Sequence, residues 1–243
     1  MPNMTPTSGK AIGALAVLAT LQVGLVTVVL WHDPVSRATM LMASGLFLLW
    51  VVGFGLVSRF GRDRIRRRVG SVRLSRGVAF TLFATLLALV EEAITTGMTN
   101  LAPLFGVPVG AAFITASTNY LDVVLGHSVV VFVPMFATWA WMLKRRAFTP
   151  NTVLITFGLT GTLAETMSFG AQNLASAPFW VLVYGLMVYL PAYCFGPSAH
   201  ATPPRARDYV WAAILPIVVA IPVAAVVGTL HPGPHHFAPS GAP

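Results

Sequence analysis

Apolar stretches about as long as a membrane crossing alternate along the chain with short polar connections. A helix needs about 20 mostly apolar residues to span a bilayer core, and seven segments qualify: roughly 11–31, 38–58, 77–100, 121–143, 152–172, 178–196 and 209–230. The pattern predicts an all-α, polytopic membrane protein with seven transmembrane helices, spans 1 to 7. The first segment is too long for the core of a signal peptide, and no small-residue cleavage site follows it, so it reads as a retained helix. One stretch breaks the rhythm: "GVPVGAAFITASTNY", Gly106 to Tyr120, is polar enough to be a re-entrant segment or an extension of span 4. The ends carry no hydrophobic pattern. Residues 1–10 are expected to be an N-terminal tail and 231–243 a disordered C-terminal tail, flanking a transmembrane domain over 11–230. The tail histidines His231, His235 and His236 are expected to bind metal only adventitiously.

Composition supports the same solvent. Of 243 residues 56% are apolar and only 9% charged, against about a quarter charged in a globular domain. The net charge of +8 invites a nucleic-acid reading, but the basic residues lie between apolar segments, so no nucleic-acid partner is expected. They instead orient the chain. With a cytoplasmic N-terminus, Lys10, the eight arginines from Arg59 to Arg76, Lys144, Arg145, Arg146, Arg205 and Arg207 are all inside, leaving only Arg37 outside. The expectation is a multi-pass cell-membrane protein with its C-terminus external. The Arg59–Arg76 run serves as an orientation determinant and, secondarily, as a contact for anionic lipid headgroups. The lone Cys194 forms no internal disulfide.

Two polar stretches interrupt the spans in the same way. "ALVEEAITTGMTNLA", Ala88 to Ala102, and "TLAETMSFGAQNLAS", Thr162 to Ser176, align without a gap. Glu92 then meets Glu165, Thr95 meets Ser168, Gly97 meets Gly170 and Asn100 meets Asn173. Only three glutamates and five asparagines occur in the chain, so the Glu and Asn matches are informative. Pro134 and Pro191 match further on, in "VFVPMF" and "VYLPAY". The sequence therefore predicts an internal duplication of a two-helix unit, spans 3–4 and 5–6, forming a core over about 77–196. Such copies are parallel and related by an axis along the membrane normal. At ~1.5 Å rise per residue, Glu92 and Glu165 reach similar depth in the outer third of the bilayer. His127 comes to that level, with Asp122 nearer the surface. Glu91, about 100° around the helix from Glu92, is left as a neighbour without a role.

An ionisable residue within a bilayer points to function by default. Paired carboxylates that share or exchange a proton, with amide and hydroxyl oxygens nearby, suit a proton or a hard cation on its way through a membrane. The reading is a transporter of a small solute or ion, proton-coupled, with Glu92, Glu165, Asn100, Asn173, His127 and Asp122 as the binding residues. No cofactor and no metal are expected, and the oligomeric state is open. The competing reading of the Glu/Asn repeat is packing, with small residues and hydrogen bonds holding helices together. The doublet in "VEEAITTG" resembles that of the glutamate-type intramembrane proteases, including the family that processes prenylated proteins. Thr95 or Thr96 stands where that family has an arginine, and its later histidines are missing. The resemblance implies an intramembrane hydrolase with Glu92 and His127 as catalytic residues. A non-catalytic assembly subunit, needing no polar site, is the third alternative.

The charge asymmetry makes a direct prediction. Cysteines introduced beside Arg68 and Arg145 react from the cytoplasmic side, and those beyond His231 from the outside. Finding the Arg68 and Arg145 regions on opposite faces breaks both the seven-span topology and the parallel duplication.

Overall fold

Capping chemistry sets where several helices begin. Asp33 accepts the Ser36 amide at 2.7 Å, with Pro34 in the first turn, and the hydroxyl and amide of Ser36 hold its carboxyl below the usual range. Ser75 and Thr149 accept from the amides of Val78 and Thr152, and Asn119 accepts from those of Leu121 and Asp122. Each side chain satisfies amides that the first helical turn leaves without a partner. The computed structural model describes residues 6–233 and 235–237, and its regular elements are helical. They are α1 (Pro6–Val29), α2 (Pro34–Val69), α3 (Arg76–Asn100), α4 (Tyr120–Gly126), α5 (Val129–Arg145), α6 (Pro150–Phe169), α7 (Ala177–Phe195) and α8 (Ala206–Leu230).

Five of these stretches are long and apolar enough to cross a membrane: Ser8–Val29, α2, α3, Ala171–Phe195 and α8. A sixth results if α4 and α5, bent by 47° at a short break, count as one span. The sequence expectation of seven also includes α6, whose five threonines, two glycines, Asn151 and Glu165 leave it below that apolar threshold. The chain is thus an all-helical, multi-pass membrane protein. Burial orders the helices around α7. In the most apolar window of Ala171–Phe195, 67% of residues are buried, against 6% in α1, so α7 is the centre and α1 a peripheral helix. Leu21, Leu25 and Val28 on α1 point outward, which suits hydrocarbon as solvent.

The α6–α7 pair packs by backbone contact. A Cβ on Gly158 would lie 2.2 Å from the Val181 carbonyl oxygen, and one on Gly185 would lie 2.5 Å from that of Leu154. A Cβ on Gly161 would overlap the Tyr184 ring, 2.2 Å from its Cγ. Small residues let helices approach this closely where lipid supplies no hydrophobic drive between them.

At one end of the bundle basic residues tie the elements together. Most of the arginine run is helix: α2 continues to Val69, since arginine is a good helix former and Arg66, Arg67 and Arg68 sit favourably in the last turn, and only Arg73 falls in the connection before α3. Arg62 donates to Tyr189 Oη at 2.9 Å and lies over the Tyr193 ring at 4.9 Å, while Tyr193 donates to Asp63 at 2.6 Å. Nearby, Arg146 pairs with Asp208 at 3.1 Å and donates to Thr202.

The opposite end is built from residues 101–119 and the chain after α8. The segment 106–119 is not a helical extension of span 4. It is an irregular strap that turns at Gly106 and Gly110, with φ of +87° and +86°, where a side chain would be strained. Val107 and Ala112 from it bury against Ala38, Met42 and Ala102. His236 donates its amide to the Ala116 carbonyl at 2.7 Å, and Phe237 stacks near Phe113 with ring centroids 4.6 Å apart. The described part of the expected C-terminal tail is therefore docked on this strap; residues 1–5, 234 and 238–243 of the expected tails lie outside the described residues.

Gly158→Ala forces a backbone carbonyl to move, and overpacking of this kind costs about 1–3 kcal/mol. The expected outcome is a lower Tm in detergent. Gly97→Ala, with nothing within 4 Å of the new methyl, leaves stability unchanged or raised by about 0.5–1 kcal/mol. Equal responses of the two variants contradict the backbone-contact account.

Candidate functional site

A cavity of about 890 Å³ opens among all eight helices, the strap and the chain after α8, and Glu91, Glu92 and Glu165 all line it. α3 delivers the first two and α6 the third. Glu92 Oε2 accepts from Thr95 Oγ1 at 3.1 Å, and the hydroxyls of Ser128 and Thr115 face the same carboxylate. Glu165 accepts from the Tyr184 hydroxyl. That tyrosine is held over Gly161 by the α6–α7 contact, and Phe132 meets its ring edge-on at 5.8 Å. Glu91 lies next to Glu92 on the cavity wall. It is only 4% exposed, and no side-chain donor among the described residues bonds to it.

The helix opposite Glu92 is interrupted. α4 ends at Gly126, His127 leaves helical geometry with φ −140° and ψ −89°, and α5 starts at Val129. Broken helices at membrane depth are tolerated where the freed backbone is buried in protein or lines a cavity, and here His127 and Ser128 both line it. Two further polar atoms on the cavity wall, Trp180 Nε1 and Gln22 Oε1, are buried without a partner among the described residues.

The predicted site residues divide. Glu92, Glu165, His127 and Asn173 line the cavity, whereas Asn100 and Asp122 do not. Asn100 donates to the carbonyls of Thr96 and Thr118 at 3.0 and 2.9 Å, tying α3 to the strap. Asn173 lies past the end of α6 in a 3-10 turn, Ala171–Ser176, and donates to Gly170. Asp122 faces three histidines instead, at 3.9 Å from His127, 3.6 Å from His231 and 3.3 Å from His236. Sequence reasoning missed Glu91: its angular offset from Glu92 excludes it only if the cavity is flat, and this one wraps α3. It also missed the break at His127, for which the run Gly126-His127-Ser128 within an apolar stretch is the available signal.

Comparison of the chain with protein-family models, with curated proteins and with solved structures finds no match.

Access of water to this cavity is testable. In a Cys194→Ser background, Ser168→Cys, on the cavity wall, reacts with a small hydrophilic methanethiosulfonate, because the reactive thiolate forms only where water reaches it. Leu86→Cys on the outer face of α3, 54% exposed in the bundle, stays inert in proteoliposomes. Equal inertness of both describes a dry cavity and removes the site.

Proposed function

We propose that the chain is a seven-span transporter of a small solute or cation, coupled to protons, with its outward-facing site built from the two related glutamate helices. The observation that carries this reading is the convergence of Glu91, Glu92 and Glu165 on one cavity. Three negative charges in a low-dielectric cavity require compensation by protons or by a bound cation, and exchanging one for the other is the elementary act of a proton-coupled carrier. The interrupted helix beside Glu92 supports the same reading, since discontinuous helices at a repeat interface commonly build transporter sites.

The duplication has support beyond the aligned residues. α3 and α6 each run into a short 3-10 turn, Ala102–Phe105 and Ala171–Ser176. Each glutamate takes a hydroxyl donor, Thr95 in one copy and Tyr184 in the other, and the returning helices α5 and α7 each contain a proline, Pro134 and Pro191. The seven-span topology, with the N-terminus cytoplasmic and the C-terminus external, follows from charge. The gathering of Arg62, Arg146 and their partners at one end of the bundle agrees with it. The lipid bilayer is the partner this chemistry implies, with anionic headgroups at the Arg59–Arg76 run. A glutamate–histidine hydrolase draws less support. The side-chain partners of His127 are Asp122 and His236, while those of Glu92 are hydroxyls.

Glu92→Gln and Glu165→Gln preserve shape and hydrogen bonding but remove the ionisable proton. In sealed liposomes under a pH gradient, each variant is expected to fold and to lose gradient-driven uptake across a panel of small cations and solutes. Uptake by either variant equal to the parent's ends the proton-carrying role of that residue. Bond cleavage in detergent that depends on Glu92 and His127 moves the protein to the hydrolase class.

A further inference from the structure

The cluster on the rim of the cavity has a chemistry of its own. Asp122 Oδ2, His127 Nε2 and His236 Nδ1 lie 3.2, 3.3 and 3.9 Å from one another. Two ligands on a tetrahedral ion with bonds of about 2.0–2.1 Å are separated by roughly 3.3–3.4 Å, so the triangle fits one metal ion. We infer that Asp122, His127 and His236 form a binding site for a zinc-class divalent transition metal, which fastens the chain after α8 across the mouth of the cavity. The inference is independent of the transport reading.

Several observations distinguish this cluster from a chance meeting of polar groups. His236 directs its other ring nitrogen, Nε2, at the Pro232 carbonyl oxygen 3.3 Å away. With the proton on Nε2, the neutral ring turns a lone pair on Nδ1 toward Asp122 and His127. That arrangement recurs in metal-bound histidines, whose second N–H is held by a carbonyl or carboxylate. That lone pair, 3.3 Å from a carboxylate oxygen and 3.2 Å from His127 Nε2, is placed to bind a cation shared with both. His231 approaches the second carboxylate oxygen, Oδ1, at 3.6 Å, the position of an outer residue that orients a ligating carboxylate. Finally, the chain leaves room for the cluster at Gly126. A Cβ there would lie 2.9 Å from Asp122 Oδ1 and 3.1 Å from His231 Nδ1, so any side chain would fill the cradle.

Two imidazoles and one carboxylate select for zinc and its neighbours over calcium or magnesium, which prefer all-oxygen shells. Three protein ligands leave a fourth position for water. The ligands come from α4, from the break at His127 and from the strap-docked segment, so one ion joins three parts of the chain. His231 and His235 line the cavity beside them. Composition suggested that the tail histidines bind metal adventitiously; the geometry assigns His236 a defined place.

The test uses the full chain purified through a tag other than polyhistidine, stripped with EDTA and titrated in detergent with Co²⁺ and Zn²⁺. The parent is expected to bind one Co²⁺ with the intense visible absorption of a four-coordinate site, and Zn²⁺ displaces it. His236→Ala, which leaves the membrane helices unchanged, weakens binding by more than about a hundredfold, and Gly126→Ala and His231→Ala weaken it by roughly ten- to a hundredfold. His200→Ala, at the other end of the bundle, has no effect. Absence of a four-coordinate Co²⁺ spectrum in the parent, or equal affinity in the parent and His236→Ala, overturns the site and leaves an aspartate–histidine ion-pair network. Asp122→Asn, which keeps the side-chain shape, repeats the test on the carboxylate.

Discussion

The backbone contact between α6 and α7 is the constraint on which the rest of the architecture depends. Where Gly158 meets the Val181 carbonyl and Gly185 meets that of Leu154, the two helices come closer than any larger residue permits. Tyr184 is thereby laid over Gly161 with its hydroxyl at Glu165. On another side α7 receives α2, through the Trp50 indole donating to the Val183 carbonyl at 2.9 Å. The cavity lies beside this central pair, where the break at His127 and Ser128 faces Glu92. Glu165 is therefore positioned by packing, whereas Glu92 is positioned mainly by hydroxyls.

Polarity inside the spans has two unrelated sources. Thr160 reaches the Ala213 carbonyl of α8 at 2.9 Å; most other hydroxyls bond to the carbonyl four residues earlier on their own helix, as Thr81, Thr85, Thr138, Thr162 and Thr166 do. They satisfy themselves locally and demand nothing of their neighbours. A carboxylate cannot bond to its own helix's carbonyls and needs donors, which Glu92 finds in Thr95 on the same helix and Glu165 in Tyr184 on α7. All three glutamates line one cavity.

This difference explains what was legible in the sequence. The apolar lengths gave most of the helices, because a span is a property of one segment. That Glu92 and Glu165 both line the cavity was legible from their aligned positions, read along the chain without knowing the packing. Glu91 was not, since which neighbour a residue faces depends on the curvature of a cavity formed by other helices. The end of α2 was misplaced at 58 because hydropathy marks where the apolar side chains stop, while the helix runs on through arginines to Val69. The docking of His236 and Phe237 escaped notice for a related reason. A Pro- and Gly-rich composition describes the average of a tail, and a few ring contacts with the strap decide its position.

The middle of α2 carries a final consequence. Phe47–Phe54 is wound as a π-helix, wider than the α-helix on either side, the usual trace of extra residues accommodated within a helix. Trp50 inside it and Arg62 beyond it each hold a partner on α7, Val183 and Tyr189. Deleting one residue between Trp50 and Arg62 would turn everything downstream by about 100° and shift it ~1.5 Å along the axis, so the two anchors could not both stay engaged. The wide turn works like the slack link in a chain drive: it absorbs the mismatch between two fixed sprockets. Insertions and deletions in α2 are therefore constrained as a matched set with α7, whereas the turn at 70–75, free of such double anchoring, can change length without disturbing either attachment.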